Sequence, residues 1–103
     1  MSFKKILCFG SLNPDLIYFV DEIPKKGDDI RSSESLIRAG GTAINCAEKI
    51  VLWNKSVHVR GNSIGKDPLG EYLVNHLKSK NINHHDLIID KGTTPTCSIF
   101  VDK

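Results

Sequence analysis

Hydrophobic and polar positions change period several times along this chain. Residues 5–9 form a short apolar run bounded by Gly10-Ser11, which predicts a buried first strand behind a basic lead-in. Asn13-Pro14-Asp15 reads as a turn. Residues 16–20 are apolar and partly aromatic and predict a second short strand. Pro24-Lys25-Lys26-Gly27 punctuates again, and residues 28–38 alternate weakly around Ile30, Leu36 and Ile37, as one or two exposed strands would. After Gly40-Gly41 the period lengthens. Apolar residues recur at Ala43, Ala47, Ile50 and Val51, the i, i+4, i+7, i+8 spacing of a half-buried helix running to about Asn54. Residues 56–64, with Val57 and Val59, predict a strand. Asp67 and Pro68 open a second helix as N-cap and first helical residue, and Leu69, Leu73, His76 and Leu77 trace one face to about Lys80. Residues 81–85 read as a loop, 87–90 as a short strand, and 94–101 as a last strand after Lys91-Gly92.

Two helices alternating with buried strands predict an α/β fold with a parallel sheet. Its strands are expected near residues 5–10, 56–64 and 86–90, with the helices packed on them. The polar strands between the first strand and the first helix do not fit that core and predict a separate, smaller sheet. No internal repeat or linker is visible.

The segment Ala-Gly-Gly-Thr-Ala-Ile-Asn-Cys-Ala, residues 39–47, concentrates the chemistry. Glycines at a helix start let another group approach the bare backbone. First-turn N–H groups lack intrahelical partners and point outward. Asn45 is four residues past Gly41, and helical side chains lean toward the N-terminus, so its carboxamide points at the same spot. Asparagine is a poor helix-interior residue and needs a polar reason to stand there. Either this helix start grips a polar ligand, or it is a tight strand-to-helix turn with a solvated Asn45. The segment alone leaves these two readings level.

Composition narrows the classes. The chain has 103 residues, 40% hydrophobic and 25% charged, which fits one globular unit or part of one. Net charge is +2, and the 14 basic residues are scattered, Lys4-Lys5 and Lys25-Lys26 being the largest groups. That pattern argues against nucleic-acid binding. No apolar run is long enough for a membrane span or a secretory signal. Cys8, Cys46 and Cys97 are an odd, widely spaced set, with Cys8 and Cys46 in apolar settings. Reduced, buried thiols in a cytoplasmic protein are expected. His84-His85-Asp86 invites a metal reading, but adjacent histidines diverge and no second ligand cluster follows, so a solvated loop is expected. Neither a G-x-x-x-x-G-K-[ST] loop nor a G-x-G-x-x-G after the first strand occurs, which disfavours Walker-type and dinucleotide-binding folds.

Five ordered pieces carry a resemblance over nearly the whole chain. They are Gly10-Ser11-Leu12-Asn13-Pro14-Asp15; Pro24-x-x-Gly27-Asp28; and Gly40-Gly41-x-Ala43-x-Asn45-x-Ala47. Gly61 with Ile64-Gly65-x-Asp67-x-x-Gly70, and Thr94 leading into Ser98-Ile99-Phe100-Val101-Asp102, complete the set. In this order they resemble the N-terminal part of a ribokinase-like sugar kinase of the phosphofructokinase-B family. The resemblance implies a parallel α/β core with a small β lid, its strands within about 16–38 and 94–102. It implies that Asp15 accepts hydrogen bonds from sugar hydroxyls, with Asn13 beside it and Gly40, Gly41 and Asn45 as the other wall. A carboxylate is a strong acceptor for hydroxyls, and α/β folds bind ligands just past strand carboxyl ends. The plain alternative for Asp15 is a turn residue. For Asp67 the cap suffices. Thr94 is equally a lid-strand residue or a site residue.

The resemblance further implies ATP and Mg2+, with a monovalent cation in some members, and lids that pair across a homodimer. The residue after the glycine pair is Thr42 where ribose-specific members carry lysine, so ribose is not favoured. Fructose, 2-keto-3-deoxy acids, other sugars or a nucleoside stay open. The family's catalytic aspartate and most of its ATP site lie downstream of the matched pieces, so no catalytic residue and no metal ligand is expected in this chain. The expectation is the N-terminal piece of a longer, ATP-dependent sugar kinase. The rival from another class is a non-catalytic sugar-binding or dimerising module.

Overall fold

The computed structural model describes residues 5–53 and 56–102. The basic lead-in before Lys5 lies outside them, and the first helix, expected to run to about Asn54, ends at Ile50 with Val51 as its C-cap. The elements in chain order are β1 (Ile6–Gly10), β2 (Asn13–Val20), β3 (Glu34–Gly40), α1 (Thr42–Ile50), β4 (Val57–Gly61), β5 (Ile64–Gly65), α2 (Pro68–Ser79), β6 (Ile89–Asp90) and β7 (Cys97–Asp102).

The fold is α/β with parallel core strands. β1 and β4 pair in parallel, Cys8 opposite Val59 and Gly10 opposite Gly61. The strand expected at 56–64 is two strands, because the chain breaks at Asn62. The Asn62 carboxamide accepts from Leu12 N (2.8 Å) and donates to Leu12 O (2.9 Å). That exchange fastens the β1–β2 corner and ends β4. The strand expected at 86–90 shortens to β6 and pairs in parallel with β5, not with β1 or β4. Its closest link to β4 is a single parallel bridge between His58 and Asn83.

The polar strands do form a separate sheet, in the order β3-β2-β7. Asn13-Pro14-Asp15 is not a turn but the start of β2. Pro14 lacks an N–H, yet only β3 pairs with it, since the β7 ladder begins at Asp15. Proline is tolerated at such a strand start. Residues 28–33 form no strand. Asp28 is consumed by a turn, its carboxylate accepting from Lys25 N (2.8 Å) and its own N–H reaching Lys25 O (2.9 Å).

One core joins the layers. Ala43, Ile44 and Ala47 of α1, and Leu73 and Leu77 of α2, meet Val57, Val59, Ile64 and Ile82. The small sheet meets this body through Ala39 of β3, which joins the core, and through α2, where Tyr72 Oη donates to Ile37 O (3.2 Å). The radius of gyration is 15.8 Å. A compact chain of this length would have about 13 Å, so the shape is elongated. β1 was expected to be buried throughout, but it is covered on one face only. Cys8 faces the helices, while Leu7 (48%) and Phe9 (76%) are exposed.

Candidate functional site

The β1–β2 corner and the β3–α1 corner meet at one place. The tie is Ser11. Its hydroxyl accepts from Thr42 N (2.9 Å), its carbonyl accepts from Ala43 N (3.1 Å), and its own N–H reaches Thr42 Oγ1 (3.0 Å). Ser11 thus caps α1 from 31 residues away. Gly41 makes this approach possible. Its φ is +98°, and a Cβ there would lie 2.7 Å from Ser11 C and 3.0 Å from Leu12 N. The expectation that these first-turn N–H groups face a ligand is therefore corrected for Thr42 and Ala43. The group that the bare glycine admits is the chain's own Ser11 backbone.

Asn13, Asp15 and Gly40 come together beside this corner. Asn13 Nδ2 donates to Asp15 Oδ1 (2.9 Å). Asn13 is the register partner of Gly40, and Asp15 of Arg38, so all four stand on one face of the small sheet. A Cβ on Gly40 would lie 2.8 Å from Asp15 Cγ, so only glycine leaves this carboxylate its position. Asp15 and Asn13 are half-buried, neither sealed in the core nor fully solvated. Asn45 stands exposed one turn into α1, with Gly41 O accepting its backbone N–H (3.0 Å).

Sequence reasoning missed two neighbours in this row. Arg38 on β3 and Cys97 on β7 flank Asp15 in register, on the same face. Only the strand order β3-β2-β7 reveals them, and no local signal announces that order. Cys46 was expected to be buried and is exposed, as is Cys97; Cys8 is buried. Burial first, then a hydrogen bond with Cys46, pushes the Cys8 thiol up to about 11.

Asp67 and Thr94 do structural work together. Asp67 caps α2 by accepting from Gly70 N (2.8 Å). The same carboxylate accepts from Thr94 Oγ1 (2.5 Å) and Thr94 N (2.8 Å), while Thr94 Oγ1 accepts from Gly65 N (3.0 Å). Thr94 is buried and precedes β7, so it is a clip rather than a lid-strand residue. The Thr94 hydroxyl first, then the Thr94 and Gly70 N–H groups, hold Asp67 below the usual carboxylate range. In the loop, Asp86 accepts from His58 Nδ1 (2.5 Å) and pairs with Lys5 Nζ (3.4 Å), which lowers its pKa, the His58 hydrogen bond acting most.

Both helix starts are capped by the chain's own groups. Ser11 occupies the one at α1, and the Asp67 carboxylate occupies the one at α2. Among the described residues, no three His, Cys, Asp or Glu side chains cluster to hold a metal ion, and no helix is long and apolar enough to cross a membrane.

The chain is similar to a ribokinase of Dictyostelium discoideum, 29% identical over 101 residues, covering 97% of this chain and 31% of that one. Its fold is similar to ribokinase from Cryptococcus neoformans var. grubii in complex with ADP, with TM-score 0.79 and 27% identity, covering 95% of this chain and 30% of that one. It is also similar to a Methanocaldococcus jannaschii nucleoside kinase of the ribokinase family, with TM-score 0.81 and 27% identity, covering 99% and 34%. The chain thus spans about a third of the length of the relatives it matches. The family model for pfkB carbohydrate kinases matches residues 4–103. The chain belongs to the pfkB family of carbohydrate kinases.

Proposed function

We propose that this chain is the N-terminal part of a longer kinase and supplies its sugar-binding wall and lid. The observation that carries this reading is the Asn13–Asp15–Gly40 grouping at the carboxyl end of β1. The carboxylate accepts hydrogen bonds from adjacent sugar hydroxyls, and Asn13 orients it. Gly40 keeps the carboxylate free of a side chain beside it. Gly41 and Asn45, at the α1 start, complete the wall. Each charge-assisted hydrogen bond of this kind contributes roughly 1.5–3 kcal/mol. The small sheet covers the sugar and excludes water as the lid closes.

The longer protein transfers the γ-phosphoryl group of Mg-ATP to a sugar hydroxyl. The nucleotide belongs to its remaining part, since both helix starts here are occupied by this chain's own groups. That remaining part also covers Leu7 and Phe9 on the open face of β1. The isolated chain is accordingly inactive and poorly stable. A nucleoside is the second reading of the acceptor, favoured by the likeness to the archaeal nucleoside kinase. The longer kinase is cytoplasmic, and its lids pair in a homodimer.

Coupled ADP release across a panel of sugars and nucleosides tests this reading. The longer protein turns over one class with Mg-ATP, and the chain of residues 1–103 alone turns over none. Activity of the chain alone would overturn the division of labour, and a silent longer protein would overturn the kinase reading.

A further inference from the structure

A second cavity stands at the other end of the β1–β4 pair from the Gly10 corner. A cavity of about 670 Å³ opens where β4 begins and α2 ends. β4 runs parallel to β1, so its amino end lies a strand's length from the Gly10 corner. Five residues at about 3.3 Å each make that roughly 16 Å. The polar groups lining the cavity are Lys78 and Lys80 from the end of α2, and Asn81, Asn83, His84 and His85 from the loop after it, with Ser56 at the rim. No Asp or Glu is among the lining residues described. In a chain with 14 basic and 12 acidic residues, that is a concentration of one sign.

The nearest acid in sequence is already committed. Asp86 is held by His58 Nδ1 at 2.5 Å and by Lys5 Nζ at 3.4 Å. The loop itself is braced. Asn83 N donates to Val57 O (2.7 Å), His85 N donates to Asn83 Oδ1 (2.8 Å), and the His84 and His85 rings lie 4.7 Å apart. Two lysines and two tilted imidazoles line one cavity, and no carboxylate is among the lining residues described. Lysines near a helix C-terminus also complement its carbonyls, which accounts for Lys78 and Lys80 singly. It does not account for the histidine pair beside them.

We infer that this cavity binds a phosphorylated small molecule through its phosphoryl group, held by Lys78, Lys80, His84 and His85. The inference is independent of the sugar-site reading, since it uses none of its residues. Burial first, and then the charges of His85 and Lys78, push the His84 imidazole below its ordinary value. A bound dianion removes that repulsion, so binding takes up a proton at His84. Affinity then rises as pH falls.

Histidine-resolved NMR titration of the longer protein tests this, with inorganic pyrophosphate, a hexose phosphate and sulfate as probes. Sulfate keeps its charge between pH 8 and 6, so its affinity reports the protein's own protonation. The expected result is saturable shifts at His84 and His85 with either phosphoryl probe, an upward-shifted His84 titration, and tighter sulfate binding at pH 6. Lys78→Gln with His84→Gln, both on the surface or in a loop, weakens binding at least severalfold while the thermal melt is kept. A tighter hexose phosphate would point to an organic ester as the ligand, and a tighter pyrophosphate to an inorganic one; both uphold the site. Absence of saturable shifts, or unchanged affinity in the double variant, overturns it.

Discussion

The Asp15 carboxylate and Gly40 face each other so closely that a methyl group on Gly40 would lie 2.8 Å from Asp15 Cγ. The two residues are on adjacent antiparallel strands, and Gly40 follows the Arg38 register partner of Asp15 by two. Gly40 has no left-handed φ that would itself demand glycine. The demand comes from the carboxylate. Gly40→Ala is therefore expected to turn the Asp15 side chain away and to weaken sugar binding by the longer kinase. Chain stability should change by only about 1 kcal/mol, the usual glycine-to-alanine range. Calorimetry and urea unfolding of the same variant check the two halves.

The thiols report the same site chemically. Cys46 and Cys97 are exposed and Cys8 is buried. Its pKa of about 11 leaves Cys8 little thiolate near neutral pH. Reaction with a colorimetric disulfide reagent should show two fast thiols and one slow one. In the longer kinase, a saturating sugar substrate should slow Cys97 severalfold, because Cys97 stands in register with Asp15, and leave Cys46 unchanged. Equal protection of both thiols would argue against Cys97 lining the sugar face.

Stability should fall in acid in a defined direction. Asp67 and Asp86 are both held below the usual carboxylate range, Asp67 mainly by the Thr94 hydroxyl and Asp86 mainly by His58. A carboxylate depressed in the folded state stabilises it above the unfolded pKa, about 3.9 for Asp. That contribution is lost as pH falls from there through the depressed folded values. Urea midpoints measured from pH 6 down to pH 2 should drop through that window. Thr94→Val should flatten the drop by removing the Asp67 share.

Thr94→Val should also destabilise the chain at neutral pH. It strands the buried Gly65 N–H, which costs roughly 1–3 kcal/mol. Thr94→Ser keeps the hydroxyl and should recover most of the loss. A lower midpoint for Thr94→Ser than for Thr94→Val would show that the methyl group, not the hydroxyl, matters there.

The legible parts of this fold were those written locally. Asp67-Pro68 at the head of α2 and the apolar spacing of Ala43 and Ala47 in α1 are short-range patterns, and both helices stand where they predict. The illegible parts are contacts between distant residues. Ser11 caps α1 across 31 positions, and Asn62 fastens Leu12 across 50. Asn13-Pro14-Asp15 carries turn chemistry, but pairing with β3 overrides it. Arg38 and Cys97 became neighbours of Asp15 only through strand order. The proximity of Asn13, Asp15 and Gly40 is likewise a contact that spacing alone does not announce.

Sugar affinity of the longer kinase with Asp15→Asn, measured by calorimetry against the unaltered protein, tests the central claim most directly. The substitution keeps the side chain's shape and removes its charge. A weakening of roughly 1.5–3 kcal/mol, about 10- to 150-fold, with the thermal midpoint kept, is the expected result. Unchanged sugar affinity would contradict the claim that Asp15 grips the sugar.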